Sequence, residues 1–490
     1  MILAIWGTGQ SLASDEDLDI DAIPEEILFE SENAELNTDQ MSGQPSDSLP
    51  ENGEIGGNRL ISLDITSETS LQKHSIRKPL VVPLPNDDVV TDRFRQSINF
   101  FLSTNGSGSL GLTVNDTLHW IYEETDESAD DSGSNHLKEL YVTWEPDVSF
   151  IGELGRINLK NGIAAGFNPT DYFKKNAVGA RYSDDQTYLR ENRIGTWMVR
   201  MEAIFSSAMI GLAYAPKMEI DEDSNWQKRE YFGLGLADLN HDDHGLAKFS
   251  FKIFDDTKPE FIYYLEDSDR PHFGFSISSG FGKRVVAYAE FSLGNRYNII
   301  SETANQLRED GLLSEEQEFV FSEDKEKSHY RQYAFGFSYT EDIKRTTTFE
   351  YHYNEAGFNK NDWKAYFDEG EQAAKMLENA ATAAYGNAIL GQLWAIRDWS
   401  RNADEPLSQE NLFIRSQWQE VWGDNFDLTG LLSIDLTNGG FIFQSKADYE
   451  WHDSLFISFA ATFYQGSSRT QYGSSLYSSS LEAMISYYFL

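Results

Sequence analysis

From about residue 92 to the end of the chain, apolar and polar side chains alternate at period two, segment after segment. In LYVTW, Leu140, Val142 and Trp144 face one way while Glu139, Tyr141, Thr143 and Glu145 face the other. In IGTWMVRMEAI, Trp197, Val199, Met201 and Ala203 form the apolar row against Thr196, Met198, Arg200 and Glu202. Tyr333, Phe335, Phe337 and Tyr339 alternate with Ala334, Gly336 and Ser338, and Leu455, Ile457, Phe459, Ala461 and Phe463 repeat the pattern near the end. Successive side chains of a strand point to opposite faces, so each segment builds a sheet with one apolar, aromatic-rich face and one polar or charged face.

That division suits a sheet placed between lipid and water. Mean hydropathy is −0.49 although aromatic residues make up 14% of the 490. No run of about 20 apolar residues occurs, which excludes a helical membrane protein. Lipid offers the backbone no hydrogen bonds, so a spanning sheet has to close on itself. A soluble sandwich alternates too, but its solvated face seldom stands opposite so many aromatics. The fold class read from the pattern is all-β, a transmembrane antiparallel β-barrel. Twenty segments carry the signal, from 60–68 and 92–103 at the start to 454–464 and 480–489 at the end, with 228–237 and 388–398 among them. Two of these would lie outside the barrel. Bacterial single-chain barrels favour even numbers, so 18 strands are expected, with 16 as the next choice.

The final segment, LEAMISYYFL, places Ala483, Ile485, Tyr487 and Phe489 in one apolar row. It resembles the C-terminal targeting signal of Gram-negative outer-membrane barrels, which typically ends in an aromatic residue; here Leu490 follows Phe489. The resemblance implies outer-membrane localisation, a lipid bilayer and lipopolysaccharide as surroundings, and recognition by the barrel-assembly machinery through this strand. Strand 480–489 should pair with the first strand, near either 60–68 or 92–103.

The N-terminal text MILAIWGTGQSLA (1–13) reads as the remnant of a signal peptide. Residues 14–58 are acidic and poor in aromatics, a disordered composition that would hang in the periplasm and offer a contact for a periplasmic partner. Residues 59–490 form the barrel. Short turns such as Asn438-Gly439-Gly440 alternate with long acidic connections, 123–135 and 295–328 among them. One connection, 361–386, reads as a helix with Ala373, Leu377, Ala380 and Ala384 on one face. It would either narrow the pore or cover the rim.

The densest polar chemistry lies at 155–200, where GRINLKNGIAAGFNPTDYFKK precedes RYSDDQTYLRENRIGTWMVR. Lys160, Lys174, Lys175, Arg181, Arg190, Arg193 and Arg200 gather there in an otherwise acidic chain. A Gly-rich segment of mixed charge suits a wet lumen, so 155–195 is expected to fold inward. Arg156, Asn158, Asn168, Asp171, Arg190, Arg200 and Glu202 are the constriction candidates. Arg156, Arg190 and Arg200 would face Asp171, Asp184, Asp185, Glu191 and Glu202, giving a transverse field that sorts solutes. Alternatively Arg156, Asn168 and Asp171 only pin a turn, with Pro169 fixing its φ. The text from Gly155 to Asp171 resembles large outer-membrane porin-like proteins, including families near the alginate-export barrels, in which a Gly-Arg strand end precedes an inward polar segment. The chain departs from the basic lumen of those exporters.

Charge and composition limit function. Eighty acidic residues against 39 basic ones give a formal charge of −41, which repels nucleic acid and anionic polymers. Loosely bound Ca²⁺ or Mg²⁺ at the acidic loops would offset part of it, and no other cofactor is implied. With no cysteine there is no disulfide or thiolate site. His241 and His244 in NHDDH read as a solvated loop rather than a metal site. No GxSxG elbow or positioned nucleophile argues for an enzyme. A TonB-dependent transporter would need a folded plug ahead of the barrel, and the acidic segment is unsuited to that. The function expected is an outer-membrane channel for small hydrophilic solutes, neutral or cationic, or for carbohydrate. The alternatives are an export barrel for a polysaccharide or secreted product working with a periplasmic partner, and a structural sheath within an envelope complex.

Overall fold

A computed structural model describes residues 61–489, apart from breaks at 86–88, 106–108, 126–127, 180, 182–184, 220–227, 230–231, 237, 255–256, 268–269 and 342–343. The expectations for 1–13 and 14–58 lie outside the described residues.

Eighteen strands run in chain order: β1 (Ile61–Ile76), β2 (Val90–Asn105), β3 (Leu110–Thr125), β4 (Ala129–Asp147), β5 (Phe150–Ile157), β6 (Thr196–Phe205), β7 (Ala208–Ala215), β8 (His244–Phe251) and β9 (Thr257–Glu266). They continue as β10 (Arg270–Phe281), β11 (Val285–Arg296), β12 (Ser328–Glu341), β13 (Arg345–Asn354), β14 (Glu410–Trp418), β15 (Phe426–Asp435), β16 (Phe441–His452), β17 (Leu455–Gln465) and β18 (Tyr477–Tyr488). Among the described residues, four helices sit in the connections: α1 (Gln186–Glu191), α2 (Ile299–Glu309), α3 (Lys360–Leu377) and α4 (Ala383–Asn402). Each strand pairs antiparallel with the next. The last strand pairs with the first, from Thr66 opposite Tyr488 to Lys73 opposite Leu481, and the sheet closes. The closing partner is therefore the earlier of the two expected, and it is longer than the pattern suggested.

The alternation sorts side chains between two environments. Leu63, Leu71, Leu154, Leu212, Phe273, Phe335, Phe459 and Ile485 stand exposed on the outer wall. Ser70, Ser97, Glu153, Ser276, Glu290, Glu350 and Thr462 are buried on the inner one. At one end every connection is short, and Phe205, Phe254, Phe281, Trp422 and Trp451 are exposed there, an aromatic rim of the kind found at membrane interfaces. All long connections lie at the other end. The rim there is uneven: β4 has 19 residues and β5 only 8, and residues 129–138 of β4 rise above the point where β5 stops.

Two of the twenty candidate segments are not strands. Residues 388–398 belong to α4, where Ile389, Leu390, Leu393 and Ile396 are buried at helical spacing. Residues 228–237 lie in the β7–β8 connection; Phe232 and Gly235 have φ of 57° and 53°, which no regular strand accommodates. The helix expected over 361–386 is α3 plus the first turn of α4. Ala373 is buried as expected, but the helix stops at Leu377, Thr382 Oγ1 donates to the Met376 carbonyl, and Ala380 and Ala384 are exposed. α3 starts at a capping box between Asn359 and Asp362. α2, in the connection read as an acidic loop, was not expected.

The helices form a cap at the long-connection end. Ile299, Ala304, Phe358, Trp363, Tyr366, Phe367, Leu390, Leu393, Ile396 and Trp399 share one buried cluster with Val82 from the β1–β2 connection. Trp394 Nε1 donates to the Pro83 carbonyl at 3.0 Å. Arg397 donates to the Gln471 carbonyl at 3.1 Å and stacks near Trp363, Tyr366 and Trp394, joining the β17–β18 connection to the cap. The alternative of a rim-covering helix describes this arrangement.

Candidate functional site

Between Ile157 and Thr196 the chain leaves the wall and crosses the lumen. Leu159, Asn161, Ile163, Ala164, Phe167, Asn168, Thr170, Asp171, Phe173, Lys174 and Ala177 are all buried. Leu159 and Phe173 pack with Met198, Ala213, Leu246, Ile262 and Tyr264 of β6–β9, whereas Ile163 and Ala164 pack on Tyr288 and Ala334 of β11 and β12, and Phe167 on His352 of β13.

Two carboxylates on the opposite wall hold the tip. Glu290 of β11 and Glu350 of β13 are each about 1% exposed. The Ile163 and Ala164 N–H groups both donate to Glu290 Oε1 at 2.5 Å. Thr170 donates its N–H at 3.4 Å and its hydroxyl at 2.8 Å to Glu290 Oε2. The next two amides turn to the other acid: Ala165 N–H donates to Glu350 Oε1 at 2.7 Å and Gly166 N–H to Oε2 at 2.8 Å. Hydrogen bonds to an ionised acceptor are roughly twice as strong as neutral ones, so four consecutive amides find charge-assisted partners. A β-carbon at Gly166 would lie 2.5 Å from Phe413 Cγ and 2.7 Å from His352 Cε1, so only glycine fits where the tip meets the wall.

The base of the segment is held by ion pairs. Arg193 donates to Asp171 Oδ2 at 2.5 Å and to Asp404 Oδ2, beyond the end of α4, at 3.0 Å. Arg181 approaches Asp404 at 3.5 Å. Arg415 of β14 lies 3.3 Å from Asp185, whose side chain caps the first turn of α1. Lys160 pairs with Glu191. Lys174 Nζ donates to the Asn168 carbonyl at 2.8 Å and lies 4.2 Å above the Phe167 ring. Burial pushes the Lys174 ammonium below the ordinary lysine range, against the pull of Asp404 and Glu405. Burial alone would raise Asp404, but the charges of Arg193, Arg181 and Lys174 outweigh it and hold the acid below the usual carboxylate range. Glu405 is held down likewise, burial being overcome by Arg296, which donates to it through two nitrogens.

The expected site residues fall into three groups. Asn158, Asn168, Asp171 and Arg190 build the segment itself. Asn158 Nδ2 donates to the Arg190 carbonyl at 3.3 Å, and Arg190 donates to the carbonyls of Asn161 and Gly162 and lies 3.7 Å from Asp171. Arg200 and Glu202 stand on the inner wall, where Arg200 reaches Glu202 at 2.6 Å and Glu153 of β5 at 2.8 Å. Arg156 is placed differently. It shares the parity of outward-facing Leu154, is 1% exposed, and donates to the carbonyls of Gly195 and Leu234 at 2.9 Å each. It ties the β7–β8 connection to the root of the segment. Asp184 lies outside the described residues.

Glu290, Glu350 and His352 were not singled out in the sequence. Each occupies an ordinary polar position in an alternating strand, and no local motif marks which wall acids meet a distant loop. Away from the segment, the inner faces of β16–β18 and β1–β3 present Gln444, Ser458, Thr462, Ser480, Ser486, Thr66, Ser70, Ser97 and Thr117. Wall cations sit beside acids, as in Arg95 with Glu68 and Glu482, Lys248 with Glu260, and Lys446 with Asp448. Among the described residues no group of three or more His, Asp or Glu side chains is arranged to hold a metal ion.

No known protein family matches the sequence, and no curated protein resembles it. Among solved structures, the chain is similar to Acinetobacter baumannii OccAB4, with 6% identity and a TM-score of 0.49 over 87% of this chain and 97% of that one. It is similar to A. baumannii OccAB1, with 8% identity and a TM-score of 0.49 over 87% and 96%. The outer membrane protein OpdK of Pseudomonas aeruginosa gives 8% identity and a TM-score of 0.48 over 88% and 98%.

Proposed function

We propose that the protein is an outer-membrane channel of a Gram-negative bacterium for small hydrophilic solutes, neutral or cationic, or for carbohydrate, with residues 158–195 as its constriction. The observation that carries this reading is the segment itself: it spans the lumen and is fastened to the wall opposite its root. A segment so fixed narrows the passage, and the inner wall of β16–β3 beside it presents buried, uncharged hydroxyl and amide side chains. Inner-wall cations are matched by acids and the chain carries a net charge of −41, so cations are favoured over anions.

The exposed apolar outer wall and the aromatic rim support a bilayer as the surroundings, with the short turns toward the periplasm and the cap toward the lipopolysaccharide side. On this reading β18 is the strand the barrel-assembly machinery meets, and acidic loops hold divalent cations loosely.

Planar-bilayer recording tests the proposal. Purified protein should give discrete conductance steps with a reversal potential favouring cations, and a neutral sugar should lower the current by occupying the lumen. Absence of conductance at every voltage, or a clear anion preference, would sink it.

A further inference from the structure

The two carboxylates that hold the tip are compensated differently. Glu350 has His352 Nε2 at 2.7 Å and the Tyr288 hydroxyl as well as two amides. Among the described residues, Glu290 has amides and one hydroxyl as donors. The cation that acts on it is Arg190, whose guanidinium donates to the carbonyls of Asn161 and Gly162. Its cross-strand neighbours are Ser276 of β10 and Ala334 of β12, neither charged. From the segment it faces Asn168 and Thr170, and the nearby Asp171 is engaged by Arg193. From β13 the titratable neighbours are Glu350 and His352.

We propose that Glu290 is an acid-released latch on the constriction. Ionised, it gathers the amides of Ile163, Ala164 and Thr170 and holds the tip on β11. Protonated, it loses the charge that makes those bonds strong, and its new O–H turns to the Thr170 hydroxyl or the Asn168 side-chain oxygen instead of accepting from the amides. Glu350 keeps Ala165 and Gly166, because the Tyr288 hydroxyl and His352 Nε2 bond its oxygens as well. The tip then swings about the second anchor and the lumen widens. The widening rests on the channel reading above; the release does not.

Hydrogen exchange on the whole protein in lipid, corrected for intrinsic pH dependence, tests the release. Measurement runs from about pH 8, where an ordinary glutamate is ionised, to about pH 4, where about half of it is protonated. Residues 161–171 should lose protection with falling pH while β11 and β13 keep theirs. One titrating group changes the ratio of held to released forms by up to about tenfold per pH unit. Glu290→Gln should lack the protection already at the alkaline end; Glu350→Gln should retain the pH response. Unchanged protection in the native protein overturns the latch even if E290Q fails to assemble, and so does an E290Q protein that titrates like the native one. Bilayer recording over the same range separates the two readings. Protection that falls without any conductance overturns the channel and leaves the latch standing; conductance that ignores pH while protection falls overturns the widening.

Discussion

Arg193 Nη2 lies 3.0 Å from Asp404 Oδ2, and through that pair the lumenal segment is joined to the helical cap over the mouth. The residues are 211 apart in sequence and both are largely buried. The same guanidinium holds Asp171. Cap and constriction therefore form one assembly, anchored on the wall by Glu290 and Glu350 and on the mouth by Asp404.

Asp404→Asn should loosen this junction. Removing one partner of a buried pair costs about 3–5 kcal/mol; the lower end is expected here because Arg193 keeps Asp171. Hydrogen exchange should report the loss over 158–195 and 399–407 and leave the strands unaffected. Uniform loss across the barrel would mean that the junction is no separate unit.

The junction and the latch should respond to acid in sequence. Asp404 and Glu405 are held below the carboxylate range, so their contribution is complete above about pH 4, the ordinary carboxyl value, and is lost only as pH falls through their lowered values. The tip should therefore come free first and the cap second. Two separated transitions in exchange at 161–171 and 399–407 are expected; a single shared one would contradict the order.

Gly166→Ala should displace the tip. The added carbon meets the Phe413 and His352 rings, and overpacking of this kind costs about 1–3 kcal/mol. The unfolding temperature in detergent should fall, and channel current should become noisier. An unchanged protein would show that the rings give way freely.

Arg156 and Arg200 should behave differently when each is replaced by Gln. Arg200 stands on the inner wall between two acids, so its loss should leave Glu153 and Glu202 uncompensated and shift the reversal potential further toward cations. Arg156 donates to two backbone carbonyls away from the lumen, so its loss should lower thermal stability and leave the reversal potential in place. The opposite pattern would reverse these assignments.

Phe335→Lys tests the membrane directly. Phe335 is 51% exposed on the outer wall, and a lysine on a lipid-facing wall costs about 2–4 kcal/mol near the bilayer midplane. Unfolding from lipid vesicles in urea should register that cost. Indifference to the change would count against a bilayer around this wall.

The barrel was legible because its physics is periodic. A wall between two solvents writes itself into every strand, and Tyr333 to Tyr339 reads the same in sequence and in structure. The errors arose where period two is ambiguous. Residues 388–398 carry buried Ile389, Leu393 and Ile396, which suit a helix as well as a strand. Residues 228–237 alternate, yet positive φ at Phe232 bends them out of any strand. The polar text of 155–200 marked the segment, because glycines and mixed charge are unusual for a wall. Its anchors were not legible. Glu290 lies 120 to 127 residues and Glu350 184 to 185 residues from the amides they hold, and nothing local separates them from other acids on the inner face.

Those separations also govern the order of assembly in time. Residues 158–195 cannot dock until β11 and β13 stand in the wall, because the amides of 163–166 have no anchor before then. The segment can dock only onto a wall that already holds those strands, so it is a late arrival in folding although it lies early in the sequence. Until then it has to be kept from pairing with the growing edge of the sheet, a task suited to its glycines, its proline and its like-charged lysines and arginines.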